Sequence, residues 1–235
     1  MSGKWWNDPL FGVTVTVVAY VVALQLHTRF RWLHPLFVCS AALIALLLVS
    51  GISYESYRVG GDLLIFCLGP ATVALGVPIY KQAVRLRKQL RAIVGGVLAG
   101  SLCGVTSSAF FVWLAGGAWL AGGAKELWVS ALPKSTSSAI SVEIVRQLGG
   151  IPELGAVLTV LTGLIGSMFG PAFLRLIGMR DDVAIGTAIG TASHGIGTAR
   201  IIRDSELQGS AGGLAMGLTG IVTSLLTIPL YWLLQ

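Results

Sequence analysis

Residues 191–200 read TASHGIGTAR, a run of hydroxyls, glycines, one histidine and one arginine inside a chain that is otherwise largely apolar. In hydrocarbon an unpaired backbone or ionisable group costs several kcal/mol, so glycine-broken polar backbone persists at membrane depth only when packed in protein or lining a watery cavity. In a membrane protein such a run is a site by default.

The chain around it meets that condition. Of 235 residues, 54% are hydrophobic and 11% charged, against about 25% charged in an ordinary soluble domain. Stretches approaching the roughly 20 apolar residues of a spanning helix are read at 9–26, 33–50, 62–80, 92–115, 154–174 and 210–232, with two more broken ones at 125–147 and 182–203. The expectation is an all-α integral membrane protein of about six spanning helices plus two broken or re-entrant segments, with too little loop for a soluble domain. Cys39, Cys67 and Cys103 fall singly within spans without CxxC or Cys/His spacing, so they are read as packing residues rather than a zinc site or disulfide framework. No nucleophile–base set, metal-ligand cluster or phosphate loop has recognisable spacing, and Gly116–Gly117 and Gly122–Gly123 lack a strand-to-helix context. Neither an enzyme nor a bound cofactor or metal is expected.

The formal charge of +6 does not point to nucleic acid, because the basic residues are scattered between apolar spans. They report orientation instead. Lys4 precedes the first span, Arg29 and Arg31 follow it, Arg58 follows the second, and Lys81, Arg85, Arg87, Lys88 and Arg91 follow the third. The positive-inside rule places the N-terminus outside and the 81–91 loop in the cytoplasm. The same loop also fits an amphipathic lipid-binding or partner-docking helix. His27 and His34 flank a loop and read as solvated, and Trp5 and Trp6 read as an interfacial anchor before a retained first helix.

An offset of 56 to 57 residues pairs Ser137 and Ile140 with Ser193 and Ile196, and Leu161-Thr162-Gly163 with Leu218-Thr219-Gly220; Pro171 follows the first LTG as Pro229 follows the second. Each unit, about 125–178 and 181–235, is a polar broken segment followed by a full apolar helix. If both broken segments crossed the bilayer, Arg175 and Arg180 would fall outside. If each dips in and returns as a hairpin, Arg175, Arg180, Arg200 and Arg203 are all cytoplasmic and only Arg146 joins the outer side, which obeys the charge rule better. The hairpin reading makes the units opposite in orientation, the inverted-repeat plan of secondary transporters, whose substrates sit near the midplane where broken-helix ends meet. A crossing broken helix remains the alternative.

The first break reads Leu132-Pro133-Lys134-Ser135-Thr136-Ser137-Ser138. Proline removes a donor and disfavours helix before itself, so helix should stop near Leu132 and restart at the serine cluster, leaving free N–H groups at the new start. Those donors and the hydroxyls of Ser135, Thr136, Ser137 and Ser138 suit a carboxylate. Lys134 adds a full positive charge to be paired with substrate, water or Glu143; the plainer reading has it snorkelling to an interface while the serines cap a helix. In the second break Thr191, Ser193, His194 and Thr198 are the candidates. His194 can donate to a carboxylate or couple transport to a proton or cation, or be a hydrogen-bonded structural residue. Arg200 reads either as a bidentate carboxylate clamp or, with Arg203, as a membrane-face anchor. Asp181 and Asp182 read as helix caps, and Glu143 with Arg146 as a surface pair.

LPKSTSSAI at 132–140, QLGGIPEL at 147–154, LTGLIGSMFGP at 161–171 and GTASHGIGTAR at 190–200, with GISYESY at 51–57 and the early double tryptophan, resemble the LrgB/CidB family, which is also similar to the C-terminal half of the plastid glycolate/glycerate transporter. The resemblance implies a bacterial inner-membrane protein, working as a homo-oligomer such as a dimer and paired with a small LrgA/CidA-type membrane partner. It implies one of two functions: a carrier of small monocarboxylates of the glycolate, glycerate, pyruvate or lactate class, or a holin/antiholin-like modulator of murein hydrolase activity and autolysis. Two facing polar breaks and a buried lysine favour the carrier. The expected organisation is a scaffold and oligomerisation region, 1–121, and a transport core, 122–235, moving elevator-fashion against it. The substrate carboxylate is held by Lys134, Ser135 and Ser137 and by the backbone near Ser193 and His194. Thr136, Ser137 and Ser138 stand where the family pattern has valine and threonines, which puts substrate fit in question.

Overall fold

The computed structural model describes residues 5–30, 35–74, 76–114 and 125–233. Lys4, Arg31, His34, the Trp5 side chain, the Gly116–Gly117 and Gly122–Gly123 pairs and the 121/122 division lie outside the described residues. All described elements are helical: a 3-10 turn Trp5–Asn7, then α1 (Pro9–Arg29), α2 (Pro35–Ser50), α3 (Tyr54–Ala74), α4 (Gly76–Lys81), α5 (Ala83–Lys88), α6 (Leu90–Leu114), α7 (Lys125–Ala131), α8 (Ser138–Gln147), α9 (Pro152–Leu176), α10 (Asp182–Ile201) and α11 (Glu206–Leu233). α1, α6, α9 and α11 are long and apolar enough to cross a membrane, so the protein is a multi-pass membrane protein. Two of the six expected spans differ. α2 has 16 residues. α3 begins earlier than the 62–80 expectation, with Arg58 and Asp62 paired one helical turn apart on its exposed face, and helix is again described at 76–81.

The chain forms two compact units, 1–74 and 75–235. In the first, Asp8 caps α1 by accepting from the Leu10 N–H at 2.8 Å. α1 and α3 meet backbone to backbone at Gly12 and Gly60, where a side-chain carbon on either would run into the opposite main chain. The Thr16 and Tyr57 hydroxyls bond across the same contact at 2.9 Å. Cys39 is buried, whereas Cys67 and Cys103 are exposed rather than packed as the sequence suggested.

The second unit holds the repeat. α7 and α8 form a hairpin: the Ser130 hydroxyl accepts from the Ile151 N–H at 2.8 Å, residues that an unbroken helix would hold about 30 Å apart. α10 is also a hairpin. It breaks at His194 (φ 41°, ψ −136°). Gly197 then packs on Ile189, eight residues earlier, and Asp182 at the start accepts from Ser205 (2.9 Å) and Gln208 (2.7 Å) beyond the end. Asp181 is the N-cap, accepting from Ala184 N–H at 2.8 Å, so Asp182 ties the hairpin base instead of capping.

The two hairpins are equivalent in detail. Gly155 faces the Ser130 carbonyl, Ser141 and Val145, and Gly212 faces the Gly186 carbonyl, Thr198 and Ile201; each residue of one set is 56 or 57 positions from its counterpart in the other. Contacts also cross over. Gly163 of α9 meets Ile196 of the second hairpin, while Gly220 of α11 meets Ile140 of the first. Reciprocal contact of this kind is the mark of a two-fold relation. α9 runs from the first hairpin base to the second, and α11 runs back, bringing Tyr231 under the Lys125 ammonium at 5.0 Å. The repeats are therefore inverted, and α10 doubles back rather than crossing.

If Gly155 and Gly212 do the same job, Gly155→Leu and Gly212→Leu should each destabilise the protein by a similar ~1–3 kcal/mol through overpacking. Gly217→Ala, with open space around it, should be neutral or slightly stabilising. Thermal unfolding of detergent-solubilised protein followed by tryptophan fluorescence tests this; a silent Gly212→Leu beside a damaging Gly155→Leu would refute the equivalence.

Candidate functional site

Both hairpin tips rest on one face of α6. Gly96, Gly100 and Gly104 recur every fourth residue and so line a single stripe. A side chain on Gly96 would meet Thr187, one on Gly100 would meet Thr191, and one on Gly104 would meet Ser135. Small residues at this spacing let a neighbouring backbone approach closely. Gly100 and Gly104 are one turn, about 6 Å, apart along the helix, so Thr191 of the second tip and Ser135 of the first converge on adjacent turns.

Lys134 reaches the same helix. Its Nζ donates to the Ser108 hydroxyl at 2.6 Å, the Gly104 carbonyl at 2.9 Å and the Ser107 hydroxyl at 3.3 Å. All three partners are neutral oxygens. The expected Glu143 partner is elsewhere: it is exposed and engaged by Arg146 at 3.2 Å and Gln147 at 3.0 Å. Among the described residues no carboxylate lies within 4 Å of Lys134 Nζ, which leaves the ammonium positioned but electrically uncompensated. Nor does Lys134 snorkel outward, since its three donors are directed into the packed seam with α6.

The other first-tip residues divide by role. Thr136 is fully buried and spends its hydroxyl on the Pro133 carbonyl at 2.8 Å, closing the turn. Ser137 occupies the N-cap position of α8, yet its hydroxyl makes no capping bond. The first-turn N–H groups of α8 thus have no intrahelical acceptor, and the half-buried hydroxyls of Ser135, Ser137 and Ser138 stand beside them.

At the second tip, His194 is the one non-glycine residue with positive φ among those described. That geometry is rare outside glycine. The surrounding bonds hold it: Nε2 lies 3.0 Å from the Thr159 carbonyl of α9, and the ring fills the space above Gly163. Because a carbonyl can only accept, Nε2 is the protonated nitrogen. Thr198 donates to the His194 carbonyl at 2.8 Å, so it braces the break rather than facing a ligand. Thr191 and Ser193 are buried with hydroxyls that have no protein partner, as have Ser101, Thr159, Thr219 and Thr223; in a native interior such groups are met by water, an ion or a ligand, or store strain, and Ser193 packs against Gly166 of α9 while Thr191 faces α6. Arg200 is not brought to the tip. It is exposed and pairs with Asp204 at 2.8 Å near the hairpin base, which supports its reading as an anchor rather than a clamp.

Sequence reading missed Gly104, Ser107, Ser108 and Thr159. The every-fourth-residue glycines leading into Ser107-Ser108 were the available signal for α6. Nothing in the sequence marked Thr159, which contributes a main-chain oxygen.

This architecture has relatives. The LrgB-like family model matches residues 16–233. The chain belongs to the LrgB-like family. Two LrgB-type proteins of Bacillus subtilis (strain 168) are similar to it: Uncharacterized protein YxaC, 34% identical over 94% of this chain and 94% of the relative, and Uncharacterized protein YwbG, 34% identical over 89% and 91%. No solved structure matches this LrgB-family chain.

Convergence of the tips is directly measurable. With Cys39, Cys67 and Cys103 replaced by serine, Ser135→Cys with Thr191→Cys should be joined in high yield by a bifunctional thiol reagent spanning ~8 Å, whereas Ser135→Cys with Arg200→Cys should not. Equal yields from both pairs would contradict the arrangement, because Arg200 lies about 9 Å of helix beyond the tip.

Proposed function

We propose that this LrgB-family protein is a secondary carrier of small monocarboxylates, holding the anion between the two hairpin tips and exposing it alternately to either side. One observation carries this reading: Lys134 of the first broken segment sets a positive charge on α6, about one to two turns from where Thr191 of the inverted second segment packs, with neutral oxygens as its hydrogen-bond partners among the described residues. An ammonium so withdrawn from water is costly until an anion joins it. One cation matches one negative charge, so a monocarboxylate neutralises the site and a dicarboxylate leaves an excess charge behind.

The partners for such a substrate are at hand. The carboxylate takes over the Lys134 N–H that Ser107 holds at the longest of the three distances, 3.3 Å, and meets the open first turn of α8 and the Ser135 and Ser137 hydroxyls. Thr191, on the α6 side of the opposite tip, supplies an unpartnered hydroxyl, suited to the short polar remainder of a glycolate- or lactate-sized acid. His194 then acts by holding the second tip in its left-handed bend. The basic residues gather at the end of this unit that carries the second hairpin's base, which by the positive-inside rule faces the cytoplasm of an inner-membrane protein. No specific feature favours the holin-like reading: buried, reciprocally packed hairpins serve binding, not pore formation by self-associating amphipathic helices.

Proteoliposomes containing the full chain should take up radiolabelled pyruvate, lactate or glycolate, measured with and without an imposed pH gradient. Lys134→Ala should reduce uptake at least tenfold, corresponding to loss of a charge-assisted contact, His194→Ala should reduce it severalfold, and Arg200→Gln should stay within about twofold of the parent. Undiminished uptake in Lys134→Ala would remove the basis of the assignment.

A further inference from the structure

The segment 76–91 contains five cations, Lys81, Arg85, Arg87, Lys88 and Arg91, and no acid. It is split into two short helices, α4 and α5, joined at Gln82 and followed directly by α6. What orients them is a fixed inner side: Leu86 is buried in a cluster with Ile93, Val183, Ala211 and Ala215, and Lys81 pairs with Glu206 at 3.8 Å. With that side held against the starts of α10 and α11, the other side faces away from this unit.

The outward side mixes charge with apolar surface. Tyr80 is 84% exposed and Val84 72%, with Val77 and Leu90 also exposed and Arg85, Arg87, Lys88 and Arg91 interleaved among them. Only Lys81 of the five cations has an acidic partner within 4 Å among the described residues. The same end gathers more positive charge. Among the described residues Arg180 and Arg203 are exposed with no acidic partner within 4 Å, and Arg175 is turned back onto the Pro171 carbonyl at 3.2 Å. The nearby acids are committed: Asp204 to Arg200, Glu206 to Lys81, Asp182 to Ser205 and Gln208, and Asp181 to its cap.

We infer that the outward side of α4 and α5 is a binding surface for anionic phospholipid headgroups, with Arg85, Arg87 and Lys88 engaging phosphate oxygens while Tyr80 and Val84 enter the acyl boundary. An aromatic and aliphatic strip beside unpaired cations, on a segment lying where a spanning helix begins, is the composition of an interfacial anchor. An acidic soluble protein would match the charge but would leave Val77, Tyr80, Val84 and Leu90 without an apolar partner. This surface is separate from the hairpin tips and does not depend on the carrier reading.

The test uses the full chain reconstituted in nanodiscs of phosphatidylcholine alone or with phosphatidylglycerol, reading the unfolding midpoint and, in detergent, the lipids retained by native mass spectrometry. Phosphatidylglycerol should raise the midpoint and be retained preferentially, and added salt should weaken both effects. Arg85→Gln/Arg87→Gln/Lys88→Gln should lower phosphatidylglycerol retention at least tenfold while keeping the parental midpoint in phosphatidylcholine, which shows that it folds. Arg85→Lys/Arg87→Lys/Lys88→Arg should retain the preference. Equal retention of the two lipids by the parent, or an unchanged preference in the glutamine variant, overturns the inference. So does equal stabilisation by inorganic phosphate, which would assign the surface to a soluble anion.

Discussion

Backbone that leaves the helix inside an apolar protein must find its hydrogen bonds in neighbouring helices, because hydrocarbon offers none. The second unit is organised around that constraint. Each break is short, each is closed by a hydroxyl on a main-chain carbonyl, Thr136 on Pro133 and Thr198 on His194, and each tip leans on α6 where glycines admit it. The Gly96-Gly100-Gly104 stripe is thus the common support of both tips. A larger residue there would separate them from α6 and strand their polar groups.

The internal symmetry is close in packing and broken in chemistry. The paired environments of Gly155 and Gly212 and the crossed contacts at Gly163 and Gly220 show that both repeats solve the same packing problem. The position equivalent to Lys134 in the second repeat is Gly190, which packs against Gly212, and the position equivalent to His194 in the first is Ser138. One tip therefore carries the charge and the other carries the strained bend. A symmetric scaffold thus positions two chemically unlike tips.

Much of this was legible beforehand. The apolar run lengths gave the membrane class, the 56-to-57-residue offset gave the repeat, and arginine counting favoured hairpins over crossing helices. Pro133 and the 191–200 run marked both breaks. Less was legible where partners are distant in sequence. The charge of Lys134 was visible, but its three contacts lie 26 to 30 residues earlier on α6, and hydrophobicity patterns do not encode which helix receives a side chain. Arg200 and Thr198 looked alike as ligand candidates, and only the hairpin's course sends one to its base and the other onto the main chain.

Sequence by itself determined the solvent in which this chain folds and the number and order of its breaks, and it favoured an inverted relation between the 125–178 and 181–235 repeats, because those follow from local composition, proline and glycine chemistry and charge bias. Tertiary structure alone decided that the breaks meet on α6, that Lys134 is held by neutral oxygens, and that His194 takes a left-handed bend secured by the Thr159 carbonyl. Those outcomes depend on close approach between residues far apart in the chain, set by which glycines face which backbone. No local pattern specifies that.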